Sequence, residues 1–598
     1  MIESDRVEAL KLRYESLKGS SERTNCEAHW QEIAEYILPT KTTFTGMRTA
    51  GDKRMTRVLD TVGIVANEML AAGLHGMATN PSSQWFSLRM IMRRLITPDG
   101  QGIDINELPS VQKYLADVEE IIWTRLYQPG TNFTTALHEM YLDMGAFGTA
   151  ILFVSQRDDG GLIFECRPLA ECVIAENSDG RVDTVFRRTK FTVRQMMQMA
   201  DRSGWKVSDA VRQMWANDRE NQKDNTVEVI HAVYPRKERE YGRKDRRNKP
   251  WASCYFEYET GQLLEEGGFD EFPYLVGRWS KYSGEVYARS PGMTALPDIK
   301  MLQAMQLAKI KLVQKAADPP MWVRDEGVVG PQNTVPGGVT YWRGNPNEGV
   351  MLHPTNLQGY QALTAEIQAI RESILRIFFA DLMRMTDRAN MTATEVMQRT
   401  AEQMRLLGPL IGRLESEVLG PLIERVFGIL SRLGLLPAPP PEIQGEEFTV
   451  EYVSPIATAQ KQVTAQSILQ VMRVIAGTYG PEIGVQVAMK ATDPVKLFRW
   501  AWDLFNADPD LLKDEEAVAA MEQLEQMQRQ MTLAQPAADI VQKGAKAVKD
   551  VSAAQGQPNG VDVQGLVAQI ARNVQENPRA REEVRALMNG EMPSTPAL

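Results

Sequence analysis

Five cations of this 598-residue chain are spaced so that they could act together, and the chemistry open to them is phosphate binding. On the helical pattern that starts near Ile299, counting 100° per residue, Lys311 lies ~20° and Lys315 ~60° from Lys300, so three ammonium groups form a stripe while Lys309 points the other way. Such a stripe is either a solvated face beside an apolar one or a track for a phosphate backbone. No aromatic residue interleaves the lysines, so the contact would be electrostatic and independent of base sequence. The other two cations, Arg384 and Arg388, stand four apart in DLMRMTDRANM, Asp381 to Met391. This stretch also holds Met383, Met385, Thr386, Asp387 and Asn390, and it interrupts two long helical patterns without a glycine or a proline. Its methionines either repack against moving neighbours or plug a helix junction, and its arginines either touch phosphate or face water.

Catalytic constellations are missing from the sequence. There is no G-x-x-x-x-G-K-[ST], no G-x-G-x-x-G opening a helix and no G-x-S-x-G, so neither a phosphate cradle nor a nucleophile elbow is expected. The histidines (His29, His75, His138, His231, His353) are scattered without metal-ligand spacing, and Cys26, Cys166, Cys172 and Cys254 form no C-x-x-C pair. The expected class is a structural or binding protein, not an enzyme, with no cofactor and no metal.

The 67 basic and 77 acidic side chains leave a formal charge of −10, so the surface as a whole repels nucleic acid and any DNA contact must be local. The amino terminus lacks an apolar signal core. The most hydrophobic stretch, Leu142 to Val154, contains Asp143 and is too short to span a bilayer, so a soluble intracellular chain with no membrane contact is expected.

The elements that must position these residues follow from apolar spacing. Helices are predicted over 9–17, 27–38, 58–78, 111–127 and 135–144, with WFSL at 85–88 extended. Short β runs follow (AILFV, LIFEC, RVDTVFRR, TVEVIHAVYP, WASCYFEYE, PYLVGRW), making a compact α+β region. Its loop 236–249 carries eight basic and three acidic residues. It reads as a basic hairpin tip, either simply solvated or touching DNA or an acidic partner. Two long helices, 297–317 and 365–379, bracket a Pro/Gly-rich module with two β pieces, MWVRD and VTYWR. There Trp322, Arg324, Tyr341, Trp342 and Arg343 either form a mini-core or meet a partner. Thr392 and Glu395 make a capping box opening a helix that Gly408-Pro409 and Gly420-Pro421 should bend. A strand, EEFTVEYV, then precedes helices over 458–505 and a polar, Gln/Ala-rich end.

In this order the chain resembles the portal, or head-to-tail connector, proteins of short-tailed double-stranded DNA phages. The resemblance is carried by TRVLDTVGIVANEMLAAGLHGMATNPSSQWFSL, GEVYARSPGMTALPDIKMLQ, MTATEV, SPIATAQ and DPDLLKDEEAVAAMEQLEQMQ, spread in consistent order over residues 10 to 530. It implies a predominantly helical α+β portal fold assembled as a ring, generally a dodecamer, around a DNA tunnel. Residues 1–284 would be the wing, 285–317 the first stem helix, 318–356 the clip and 357–380 the second stem helix. Residues 381–391 would be the tunnel loop, 392–453 the kinked wing helix with its strand, 454–507 the crown, and 508–598 a helical extension, barrel-like or partly disordered. The implied partners are double-stranded DNA, the major capsid and scaffolding proteins, the terminase, the tail adaptor, and internal core or ejection proteins. The implied location is the virion vertex, reached from the host cytoplasm during assembly. Two other classes stand beside this one: a scaffold or adaptor without a channel, and a DNA-processing enzyme, for which the sequence offers no nucleotide cradle or carboxylate metal cluster.

Overall fold

A computed structural model describes residues 3–317, apart from short gaps within 42–54, at 83, within 92–101, at 158–159, at 218–222 and within 241–244. It further describes 321–323, 350–352, 358–383, 407–443 and 448–452. All of these fall in the first of two units, Met1–Phe505; the second, Asn506–Leu598, lies outside the described residues.

The apolar spacing of the amino-terminal part produces helices α1 (Glu3–Lys18), α2 (Ser21–Tyr36), α3 (Val62–Ala78), α4 (Pro109–Tyr127) and α5 (Phe133–Phe147). Pro109 opens α4 where its missing N–H costs nothing, and Ser20 caps α2 by accepting the Arg23 N–H. The extended WFSL piece becomes β1 (Phe86–Met90). It pairs antiparallel with the last described strand, Phe448–Tyr452, from the predicted EEFTVEYV run, and a short antiparallel pair, β2 (Arg94–Ile96) with β3 (Gly102–Asp104), follows β1.

Helix α5 ends at Gly148, whose φ of +81° is left-handed and whose N–H closes on the Met144 carbonyl. The turn feeds β4 (Thr149–Gln156), the centre of a three-stranded antiparallel sheet with β5 (Leu162–Arg167) and β11 (Tyr274–Arg278). Between β5 and β11 a five-stranded sheet runs in the order β10 (Leu263–Phe269), β9 (Trp251–Glu257), β8 (Thr226–Pro235), β7 (Val182–Thr192), β6 (Cys172–Glu176). Every pairing is antiparallel and joins strands that are consecutive in the chain. The α+β region read from the sequence is therefore two sheets. They meet at His231, whose Nδ1 lies 2.8 Å from Tyr274 Oη and whose Nε2 lies 3.0 Å from Ser253 Oγ.

The main core gathers α2 to α5, the three-stranded sheet and the later long helices, with Trp30, Phe133, Tyr141, Phe147 and Phe164 fully buried. Each such ring contributes roughly 1.5–3 kcal/mol relative to exposure. A second cluster lays α1 (Val7, Leu10, Tyr14) on the five-stranded sheet. A third belongs to α6 (Val193–Ser203) and α7 (Asp209–Ala216), two short helices inserted between β7 and β8 that the strand-oriented reading passed over. Their local signals are present: a Thr192/Gln195 capping box and a left-handed Gly204 stop.

The two long helices exist and are longer at their starts than the spacing suggested. The first, α8, spans Pro291–Ala317 and carries Pro297 inside; the second, α9, spans Gln358–Ile377. Pro291 is the first residue of α8 and Ser290 holds the start, accepting from the Met293 N–H at 2.9 Å and donating to the Ala146 carbonyl at 2.7 Å. Of the bracketed module, β12 (Met321–Val323) pairs with β13 (Val350–Leu352), a run not read as a strand, whereas VTYWR lies outside the described residues. Outside them too are 384–406, hence the capping box at Thr392, and everything from 453 onward.

Candidate functional site

The α8–α9 pair is rooted in the main core and leaves it. On α8 the residues from Pro291 to Gln303 include the buried set Met293, Leu296, Ile299 and Leu302, but beyond Gln303 Leu307, Ile310 and Val313 are 43, 41 and 47% exposed. On α9 the burial runs the other way. Of the predicted seam, Ile367, Ile370 and Ile374 are buried and Ile377 is half-buried, while the first two turns are not buried. The helices run antiparallel, with the Ser373 hydroxyl 3.0 Å from Asp298 Oδ2 and the Lys309 ammonium 5.3 Å from the Tyr360 ring. The result is a helical hairpin whose base is packed and whose far half is exposed among the described residues.

Its root is a polar hub that no local pattern announces. Asp60, just before α3, accepts from Arg371 Nε and Nη2 at 3.0 and 2.8 Å, from Gln306 at 2.8 Å and from the Val62 N–H at 3.0 Å. Gln303 of α8 accepts the Leu59 and Asp60 N–H groups and donates to the Asp60 carbonyl. Burial alone would push the Asp60 carboxyl up. The bonds from Gln306, Val62 and Arg371 outweigh it and hold the group below its ordinary 3.8. Ile299 packs against Gly63, where a Cβ would come within 2.9 Å of its side chain, so α3 can approach α8 only because that position is glycine.

The lysine stripe divides. Lys300 pairs with Glu32 of α2, and Lys309 turns to α9, as the angular count implied. Lys311 and Lys315 are exposed on the far half of α8. Residues 300–317 contain no Asp or Glu. The basic loop 236–249 finds acidic partners in β10, just beyond it and within the loop itself: Arg236 bonds Glu266 at 3.0 Å, Lys249 bonds Asp270 at 2.8 Å, and Arg243 pairs with Glu240 at 3.0 Å.

At the other end of α9 the chain turns without glycine by placing Phe379 at φ +55°, a conformation bulky residues rarely adopt. Phe378 is buried, the Phe379 ring lies 6.2 Å from that of Trp279, and a single turn, α10 (Ala380–Met383), follows. Met383 lies on Gly73 of α3, where a Cβ would meet its sulfur at 2.2 Å. Arg384, Met385, Thr386, Asp387, Arg388 and Asn390 are outside the described residues, as are Arg324, Tyr341, Trp342 and Arg343; Trp322 lies in β12 opposite Met351.

Gly408 and Pro409 belong to the helical residues 407–414. Before Gly420-Pro421 the helix widens into a π segment, Glu415–Leu419, in which the Gly420 N–H reaches back five residues to the Glu415 carbonyl. Pro421 supplies the cause: it has no N–H for the Glu417 carbonyl and its ring would crowd that group, so one wider turn relieves the conflict before α11 (Gly420–Arg432) continues. The turn presents Glu417 to the buried Arg278 of β11, with Nε and Nη2 at 3.1 and 2.6 Å from its two oxygens.

The described residues hold no group of three His, Cys, Asp or Glu able to bind a metal, and no helix among them is long and apolar enough to cross a membrane. What the arrangement offers is surface: a projecting pair of helices with apolar side chains and two exposed lysines.

A family model described as "Bacteriophage head to tail connecting protein" matches residues 7–512. The "Probable portal protein" of Bordetella phage BPP-1 is 33% identical over 560 residues, covering 92% of this chain and 96% of that protein. The "Portal protein" of Salmonella phage epsilon15 is 32% identical over 568 residues, with the same coverage of each chain.

Proposed function

This chain belongs to the bacteriophage head-to-tail connecting protein family, and from that premise we propose that it assembles into a ring, of twelve copies as in the portals it resembles, around an axial channel. The channel stands at one vertex of the virion capsid, and through it double-stranded DNA is packaged and later ejected. The observation that carries this reading is the α8–α9 hairpin. A helix that leaves its own core with Leu307, Ile310 and Val313 exposed would gain by burying them against further copies.

Residues 318–356, at the tip of the hairpin, are the clip, where the terminase docks during packaging and the tail adaptor afterwards; the capsid and scaffolding proteins surround the wing. Residues 381–391 form the tunnel loop, with Arg384 and Arg388 touching phosphate. A ring multiplies the chain's −10 by its copy number, a field that keeps DNA from adhering, while Lys315 adds a ring of weak, sequence-independent contacts. DNA held in this way can slide in both directions. No catalytic role belongs to this reading.

Electron microscopy of the purified protein tests it. Rings with an axial hole are expected. A chain that stays monomeric or dimeric under all assembly conditions overturns the channel and leaves the scaffold or adaptor without one.

A further inference from the structure

The hairpin has two outward faces, and they match at equal height. Relative to Lys309, which faces α9, Leu307 and Lys300 lie ~160° and ~180° away around α8, so both point from the pair. Leu307 is 43% exposed, and the Lys300 side chain is equally so although it touches Glu32. Relative to Ile367, in the buried seam of α9, Ala365 and Glu372 lie ~160° and ~140° away, and both are exposed, as is Ala362. The cross-links of the pair, Asp298 to Ser373 and Lys309 to Tyr360, set which residues share a height. They put Leu307 within one turn of Ala362 and Ala365, and Lys300 within one turn of Glu372.

Rotation about a ring axis preserves height along it, so with the hairpin set parallel to that axis one copy's α8 face meets its neighbour's α9 face without a vertical offset. We propose that in the ring Leu307 of each copy seats against Ala362 and Ala365 of the next, and that Lys300 pairs with Glu372 of the next. The occupant of the exposed α8 face is thus a second copy of this chain. The complementarity is of size, a branched side chain over two methyls, and of charge, an ammonium level with a carboxylate. Glu32 and Glu372 then share Lys300; Lys311, ~20° from it around α8, lies on the same neighbour-facing side, which leaves Lys315, ~60° away, as the part of the stripe turned furthest from that contact. The proposal rests on the ring reading and adds the surfaces that make the ring.

Rings confirmed by microscopy, carrying Leu307→Cys and Ala365→Cys together, are oxidised and read on a denaturing gel. A ladder extending beyond dimers with loss of the monomer band is expected, while each single variant stays monomeric on the gel. In parallel, Lys300→Glu should cause loss of rings, and Lys300→Glu with Glu372→Lys should restore them. Double-cysteine rings that yield no ladder, or a charge swap that fails to restore assembly, overturn this contact and leave the ring intact as a reading. Failure of the wild-type chain to form rings overturns the ring itself. If the cysteine pair prevents assembly, the charge swap alone decides.

Discussion

His231 bonds at both ring nitrogens and stacks on Tyr255 at 4.0 Å, with Phe153 edge-on to it, all within the seam between the sheets. Burial, and then the nearby cations Arg167 and Arg187, hold its pKa well below the ordinary 6.5. The unfolded chain therefore takes up the proton first. The stability that depends on neutral His231 is complete above about pH 6.5 and is lost as pH falls from there toward the folded value. Thermal melts between pH 8 and 5 should show Tm falling below that point, and His231→Gln should make the fall shallower while lowering Tm at pH 8. His29 and His75, also lowered by burial, leave a smaller residual slope. Parallel slopes for the two proteins would remove His231 as the cause. Asp60 acts in the same direction in a more acidic window: its folded value is depressed, so its contribution is present above 3.8 and disappears as pH falls through the lower folded value.

Among the elements, the α5–β4 turn is the most sharply constrained. Gly148 is left-handed, and a Cβ there would stand 2.5 Å from the Ala288 carbonyl oxygen, a backbone atom that cannot step aside. Gly148→Ala combines the left-handed penalty of about 1–2 kcal/mol with overpacking of about 1–3 kcal/mol, so a loss of at least about 2 kcal/mol in chemical denaturation is expected. A loss below half of that would show that the turn yields. This glycine was readable as a helix stop. The π turn at 415–419 was readable only in part: Gly420-Pro421 announced a bend, but not that the wider turn would present Glu417 to Arg278 of β11. Phe379 was not readable at all, because its left-handed backbone is held by burial of Phe378 and by the ring of Trp279, neither of which is a turn signal.

For the whole molecule, the separation of assembly from DNA handling is the testable property. If Lys300 and Lys311 lie on the side of α8 that makes the ring contact while Lys315, ~60° round from Lys300, faces the channel, Lys315→Glu should leave rings intact and lower the DNA content of particles. Fewer non-specific phosphate contacts, replaced by repulsion, weaken retention without touching the subunit face. Particles with unchanged DNA content would remove Lys315 from that role. The −10 charge of the chain says why so few cations can matter, since against an acidic background each local positive group carries a larger share of the contact.

The sequence by itself determined what depends on neighbours along the chain. The helical periods of α1 to α5, α8 and α9, the β runs, and the angular placing of Lys309 opposite Lys300 all follow from spacings of two, three and four residues. It also carried enough ordered likeness to point to the connector family that the matched residues 7–512 then established. Tertiary structure decided what depends on residues far apart: Asp60 gripping Arg371 and Gln306 at the base of the hairpin, β1 pairing with Phe448–Tyr452, Lys300 answered by Glu32, and Met383 laid on Gly73. Periodicity can say which face of an element is apolar. It cannot say which distant element covers that face, because the register between them is set by packing and by hydrogen bonds that form only when both are in place.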